Sequence, residues 1–327
     1  MILFVGNLGH RSGKGPLGGQ NIRTRSILTL LKNDCPERLI VADMSKNLII
    51  QSFIIIFGLF ACKKVILLPG KNFVQLLSWL RFLFTGKKVF MIAIGGWLHQ
   101  LCYKSGTKNL LMSFEALWVQ TEGLKDELSK FGISSEVLPN FKYVDDLVGR
   151  KLDNDTVDVV FCSRICLEKG VLDAIVAFTD LPINYHLHIY GPLHNFDITD
   201  YICGRNNITY HGEIASCKVP SVMSQYDVFL FPTFFEGEGF PGVILDAFYA
   251  GLPVIASNWK YNAELITHDV GMLIPIKSPK SIVDALEMLA LDPTKLRSMS
   301  HNSYLRGKSY SPENVSPIIM NKLLESS

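Results

Sequence analysis

Residues 234–257 of the 327-residue chain read FFEGEGFPGVILDAFYAGLPVIAS. Glu238 stands in a glycine-rich loop, and Asp246 stands in the helix expected to follow it. An ionised carboxylate only accepts hydrogen bonds, so one on a loop and one on the next helix can take up different hydroxyls of a single ligand. Sugars and riboses are bound in this manner. Three acidic groups within eleven residues would also suit a solvated face, but the Phe, Ile, Val and Leu around them argue against that. Earlier in the chain, Arg164 and Lys169-Gly170 follow the apolar run at 159–163 and precede a helical stretch. Two cations, a glycine and a helix N-terminus at the carboxyl end of a strand suit a diphosphate; two solvated surface cations are the plainer alternative.

The stretch Gly13-Lys-Gly-Pro-Leu-Gly18 satisfies GxGxxG, yet it contains Pro16 and lacks an acidic partner at the end of a second strand. Nor is it a Walker loop, since neither the Ser/Thr nor the earlier glycine is in place. The long loop ends at Gly18-Gly19-Gln20, where backbone N–H groups at a helix start can meet an anion.

These residues need elements to hold them. An apolar run at 1–6 and expected strands at 38–43, 64–69, 89–94 and 116–121 alternate with helical stretches, as do expected strands at 159–163, 185–190, 208–210, 228–231 and 253–256. Helices are expected at 20–32, 169–178, 242–250 and 278–289. Such continuous apolar runs belong to parallel strands buried on both faces, so the fold class is α/β with two doubly wound Rossmann-like domains facing a cleft. The expected division is 1–142, a polar linker at 143–158, a second domain at 159–310, and a last helix at 311–327 that packs back toward the first domain. Charged residues at 19% and hydrophobic residues at 48% describe a globular chain. The seven scattered cysteines read as reduced thiols, and Cys162 with Cys166 lacks the further ligands of a zinc site. No secretory leader is read at the start, which points to the cytoplasm.

Residues 1–142 hold 18 Lys and Arg against 8 Asp and Glu, and between Asp43 and Glu115 there are nine cations and no acid. This asymmetry calls for an anionic partner. No nucleic-acid motif accompanies it. Two apolar stretches, 48–61 and 73–84, are too short to cross a bilayer, which needs ~20 apolar residues. They read either as core helices or as faces lying in the interface of an anionic membrane, flanked by Lys63, Lys64, Lys71, Arg81, Lys87 and Lys88.

Taken in order, Arg164, Lys169-Gly170, Glu238, Asp246-Ala247 and Gly251-Leu-Pro-Val254 resemble the signature of glycosyltransferase family 4, the retaining enzymes of GT-B fold. Gly18-Gly19, Val119-Gln120-Thr121-Glu122 and His211-Gly212 extend the resemblance over nearly the whole chain. Glu-Gly-Glu-Gly-Phe-Pro and Ile94-Gly-Gly-Trp-Leu98 look most like bacterial enzymes of capsule, exopolysaccharide and O-antigen assembly. The resemblance implies a nucleotide-diphosphate sugar as donor and a glycan or lipid-linked acceptor at the inner face of the membrane. It places the donor diphosphate on Gly18, Gly19, Arg164 and Lys169, and the base near Gly212. The transferred sugar falls to Glu238, Gly239, Phe240 and Pro241, and the ribose to Asp246. No cofactor and no metal are implied, and no Asp-x-Asp ends a strand. Two positions depart from the family: the second acid is Asp246 rather than Glu, and Gly95-Gly96 occupy the turn of the usual first-domain His, leaving His99 as the candidate. A non-catalytic partner subunit and a nucleotide-sugar epimerase are the other classes considered; the second lacks an acid/base pair.

Overall fold

The computed structural model describes residues 1–9, 18–79, 81–144 and 156–326. Most of the Gly13–Gly18 pattern and of the expected linker therefore lies outside the described residues. The chain forms two compact units. One comprises Met1–Tyr143, Gly237–Phe240 and Tyr310–Ser327; the other comprises Val144–Glu236 and Pro241–Ser309.

The first unit holds β1 (Ile2–Gly6), β2 (Leu39–Asp43), β3 (Lys64–Leu68), β4 (Lys88–Ile92), β5 (Ala116–Val119) and β6 (Glu136–Val137). They form one sheet in the order β2-β1-β3-β4-β5-β6, every pairing parallel. Its helices are α1 (Gly19–Asp34), α2 (Leu48–Ala61), α3 (Lys71–Trp79), α4 (Ser105–Met112) and α5 (Glu122–Ser129). All five residues of β1 and of β3 are buried, which is why these strands read as unbroken apolar runs.

The two apolar stretches separate in behaviour. In α3, Val74 and Leu77 are buried, and the stretch breaks into a 3₁₀ turn at Arg81–Phe84. Helix α2, capped by the Asn47 side chain on the N–H groups of Ile49 and Ile50, packs with Ile54, Ile55 and Leu59 against the sheet. Gly58 permits the close approach, for a β-carbon there would stand 2.6 Å from Leu3 Cδ1. On its other side Leu48, Ile49, Ile50, Phe53, Ile56, Phe57 and Phe60 are each more than half exposed. Among the described residues no helix is long and apolar enough to cross a membrane.

Much of the positive charge around α2 is used internally. Lys64 Nζ meets Glu37 Oε1 at 2.7 Å and the Leu323 carbonyl at 2.8 Å. Lys88 Nζ donates to the Ser326 carbonyl and Lys87 Nζ to the Cys62 carbonyl. Lys46 and Lys63, flanking the two ends of α2, remain exposed.

The second unit holds β7 (Val157–Cys162), β8 (Tyr185–Tyr190), β9 (Ile208–Gly212), β10 (Val228–Phe231), β11 (Val254–Ser257) and β12 (Gly271–Ile274), again all parallel, in the order β12-β11-β10-β7-β8-β9. Its helices are α6 (Val171–Asp180), α7 (Thr199–Ile202), α8 (Val219–Met223), α9 (Gly242–Tyr249), α10 (Asn262–Leu265), α11 (Pro279–Leu291) and α12 (Pro293–Ser309). Helices α6 and α11 cover one sheet face with Val171, Ile175, Phe178, Ile282 and Leu286. The first strand starts at Val157, before the apolar run proper, because Asp158 is held by its neighbours: its N–H donates to Asp227 Oδ2 at 2.8 Å.

The last helix, α13 (Pro312–Glu325), belongs to the first unit, where Val315, Ile319 and Leu323 join Ile2, Phe4 and Phe90 in one core. Lys64 and Lys88 take up carbonyls at its carboxyl end, a favourable place for cations. Ile319 is fully buried. Ile319→Ala is expected to cost about 2–5 kcal/mol in denaturant unfolding, the range for a deleted core side chain.

Candidate functional site

In an open parallel sheet, ligands bind beyond the carboxyl ends of the strands where the strand order reverses. In the second unit that point lies between β7 and β10. The segment after β7 carries Arg164, then a 3₁₀ turn, Leu167–Lys169, then Gly170 as the N-cap of α6. The segment after β10 carries Thr233, Phe234 and Phe235. Backbone and side chain stitch the two together: Phe234 N–H donates to the Glu168 carbonyl at 2.8 Å, and Thr233 Oγ1 donates to the same carbonyl at 3.3 Å. Thr233 Oγ1 in turn accepts from Phe235 N–H at 3.2 Å, and Trp259 Nε1 donates to the Phe235 carbonyl at 2.9 Å.

Phe235 is thereby fixed with its ring beneath both cations. The Arg164 guanidinium carbon lies 5.4 Å and Lys169 Nζ 4.8 Å from its centroid; Lys169 Nζ also stands 5.6 Å from Phe231. Cation–π contact of this kind is worth about 0.5–2 kcal/mol and orders long side chains that water would leave free. Arg164 is exposed, whereas Lys169 is buried, which sets aside the alternative of two solvated surface cations. The Lys169 ammonium stands over the aromatic pair Phe231 and Phe235, where the sequence shows only its charge.

Glycine is required twice here. Gly170 has φ +75°, and a β-carbon on it would stand 2.1 Å from the Pro232 carbonyl oxygen. Gly191, after β8, has φ +137° and would place a β-carbon 1.7 Å from the Ser163 carbonyl oxygen. Gly191 N–H donates to the Gly212 carbonyl at 2.8 Å, so the ends of β7, β8 and β9 are drawn together. Beyond them α6 begins with no side-chain cap, leaving its first N–H groups for an anion. Asp173 lies in that first turn, where burial raises its carboxyl above the usual range, with Lys277 opposing.

At the base-side candidate, Gly212 has φ +78° and closes β9 next to His211, whose ring stacks on Tyr190 at 4.5 Å. Asp246 lies in α9, a helix buried on every side from Ile244 to Tyr249, with Pro241 as its N-cap. Glu236 is the solvated member of the three acids, paired with Lys260 at 2.7 Å; Glu238 and Asp246 are both buried.

In the first unit, Glu238, Gly239 and Phe240 sit against the Gly95-Gly96 turn. A β-carbon on Gly239 would stand 2.8 Å from the Gly95 carbonyl carbon, and Asn140 Nδ2 donates to the Phe240 carbonyl at 3.4 Å. Gly95 itself takes φ +93° and its N–H donates to Gln120 Oε1 at 2.8 Å. The candidate sugar carboxylate thus lies in the loop touching the turn that the family motif marks. His99 is turned to other company, with Nδ1 3.0 Å from Glu127 Oε2 on α5. Gly18 is the N-cap of α1, and Gly18 and Gly19 are both exposed. The reversal of this sheet falls between β1 and β3. A cavity of about 330 Å³ opens there, lined among others by Gly6, Asn7, Gln20, Gly70 and Lys71.

Sequence reasoning missed Gly191, Thr233 and Phe235. The pair Gly191-Pro192 directly after an apolar strand was the available signal for the first; nothing marked the other two, whose roles come from contacts.

Two six-stranded parallel sheets, each with its helices, make this chain a protein of GT-B fold. Residues 148–306 match the family model described as glycosyl transferases group 1. No curated protein matches the chain in sequence. Among solved structures, it is similar to sucrose-phosphate synthase from Thermosynechococcus elongatus (15% identity, TM-score 0.78, 100% of this chain and 99% of that one). It is also similar to HepE from Anabaena in complex with UDP-glucose (16%, 0.72, 100% and 99%). A third is the apo form of the lipopolysaccharide outer core galactosyltransferase WaaB (14%, 0.73, 100% and 99%).

Gly170→Ala is expected to lower stability by clearly more than the ~1–2 kcal/mol of a left-handed residue alone, because the Pro232 carbonyl must also move. Thermal or denaturant unfolding of the purified variant checks this.

Proposed function

We propose that this chain transfers a sugar, with retention of anomeric configuration, from a nucleoside-diphosphate sugar to a glycan or lipid-linked acceptor in bacterial surface-polysaccharide assembly. The observation that carries the proposal is the cation pair Arg164 and Lys169, ordered over Phe235 at the strand-order reversal beside the open N-terminus of α6. Departure of a nucleoside diphosphate builds negative charge on the leaving oxygens. Fixed cations and helix N–H groups stabilise that charge without reorganising at the moment of reaction, and the step then needs no metal. The group 1 match over residues 148–306 and the UDP-glucose bound by the similar HepE support the same donor class.

In this reading the Gly18 and Gly19 amides also serve the diphosphate, and the turn at Gly212 serves the base. Glu238 with Gly239, Phe240 and Pro241 holds the transferred sugar, and Asp246 the ribose. The leaving phosphate accepts the acceptor hydroxyl's proton on the face from which it departs. The proposal keeps His99 as a candidate beside the sugar. The cavity between the carboxyl ends of β1 and β3 is our choice for the acceptor.

Steady-state kinetics with a UDP-sugar donor tests the assignment. Arg164→Ala and Lys169→Met are expected to lower turnover ~100-fold or more, the loss typical of one preorganised transition-state contact. Methionine replaces alanine at Lys169 so that the buried stem is still filled. Glu238→Gln should depress kcat, whereas Asp246→Asn should chiefly raise the donor KM, since a ribose contact is the same in ground and transition states. Near-normal rates in both cation variants would refute the cradle. Absence of both hydrolysis and transfer with every nucleoside-diphosphate sugar tried would favour the partner-subunit reading.

We further propose that α2 rests on the cytoplasmic face of an anionic membrane. Seven large apolar side chains face outward on it, and exposed Lys46 and Lys63 stand at its ends. Binding to phosphatidylglycerol vesicles is expected, weakened by salt, with less binding to phosphatidylcholine. A triple Ile49→Ser, Phe53→Ser, Phe57→Ser variant should bind at least ~10-fold less with unchanged thermal unfolding, as each buried side chain contributes ~1.5–3 kcal/mol. Equal binding by variant and parent would remove α2 as the contact.

A further inference from the structure

The second unit carries a polar cluster that sugar transfer does not use. Strands β7 and β8 pair in parallel with Asp158 opposite His186 and Val160 opposite His188. Alternation along each strand puts Asp158, His186 and His188 on one sheet face, away from Val159, Leu187 and Ile189 in the core. Asp158 Oδ1 lies 3.1 Å from His186 Nδ1 and 3.4 Å from His188 Nε2. All three ligand atoms fall within 4.8 Å of one another, and among the described residues no other three His, Cys, Asp or Glu residues do so. The second nitrogen of His188, Nδ1, is 3.0 Å from His211 Nε2, and the His188 ring packs 4.8 Å from Tyr226.

We propose that Asp158, His186 and His188 form a mononuclear site for zinc or a similar first-row divalent ion, away from the phosphate loop and bordering, through His211, the turn assigned to the base. Tetrahedral bonds of 2.0–2.1 Å set neighbouring ligand atoms about 3.3–3.4 Å apart, and both separations from Asp158 Oδ1 are close to that spacing. Two rings on one strand reach the same Asp158 oxygen by presenting different nitrogens, Nδ1 of His186 and Nε2 of His188. Metal-bound histidines hold their ring through the other nitrogen, and His211 provides that hold for His188. Imidazole and carboxylate donors suit zinc, and side-chain exposures of 35%, 22% and 17% for His186, His188 and Asp158 leave room for water at a fourth position. Asp158 stands four residues, roughly 13 Å of strand, before β7 ends. That distance keeps the ion away from the phosphate loop and gives it a structural role, clamping β7 to β8. The expectation of a metal-free transfer step is unaffected.

The test uses the full chain, stripped of metal and titrated with Zn²⁺ and with Co²⁺. One ion should bind and raise the unfolding temperature. Bound Co²⁺ should give visible bands of a four-coordinate site without a thiolate charge-transfer band. His186→Gln and His188→Gln should each abolish binding while melting like the metal-free parent, and either one suffices if the other fails to fold. His211→Ala should weaken binding ~10–100-fold, the usual loss for a partner behind a metal ligand. The exposed thiols Cys203 and Cys217, changed to Ser, should alter nothing. No saturable binding by the parent overturns the site. Undiminished affinity in either histidine variant that folds, or a thiolate band abolished by the cysteine changes, does so too.

Discussion

A carbonyl oxygen standing where a β-carbon would have to go is the constraint on which the second unit depends. It occurs at Gly170, facing Pro232, and at Gly191, facing Ser163. Each contact brings the exit of one parallel strand onto its neighbour's, so the loops after β7, β8 and β10 are locked to one another through backbone. Only then do side chains of ordinary flexibility become a candidate site. Arg164 and Lys169 come from one loop and Phe235 from another, and their contact exists because the loops cannot drift apart. The anion-binding capacity of a helix N-terminus is generic; what is particular here is two cations held at fixed height over one ring.

The first unit solves a different problem. Its acid-free stretch looks like a single basic surface, yet Lys64, Lys87 and Lys88 are engaged with backbone carbonyls, two of them at the end of α13. Charge that reads as a footprint for a partner is partly internal capping. Outward stands the apolar face of α2, with Lys46 and Lys63 beyond its ends and Lys71 and Lys104 exposed elsewhere in the stretch.

Legibility followed burial. β10 was readable to its last residue because it is a continuous apolar run, and β8 because its buried Tyr185, Leu187, Ile189 and Tyr190 carry the pattern past two histidines. β6 spans two residues, too few to show a pattern, and β12, with Met272 and Leu273 only half-buried, opens on a glycine that a β-carbon would drive into the Val254 carbonyl. The motif residues were all identifiable, but their environments were not: burial of Lys169 depends on Phe231 and Phe235, which are remote in sequence. Asp158 fell at the end of the expected linker, and nothing in the sequence singled out the two histidines of β8. Parallel register alone puts them side by side, and register is not written in any one strand.

The placement of α13 has a consequence for how the chain is made. Ile2 and Ile319 share one core, with the whole second unit between them in sequence. During synthesis from the N-terminus, everything the second unit needs has been made while the first still lacks the helix that closes it. The first unit is therefore begun first and finished last, and until α13 arrives Ile2, Phe4 and Phe90 lack part of their cover. Its final consolidation is a ring closure across roughly 300 residues, whose entropic cost grows only with the logarithm of that length.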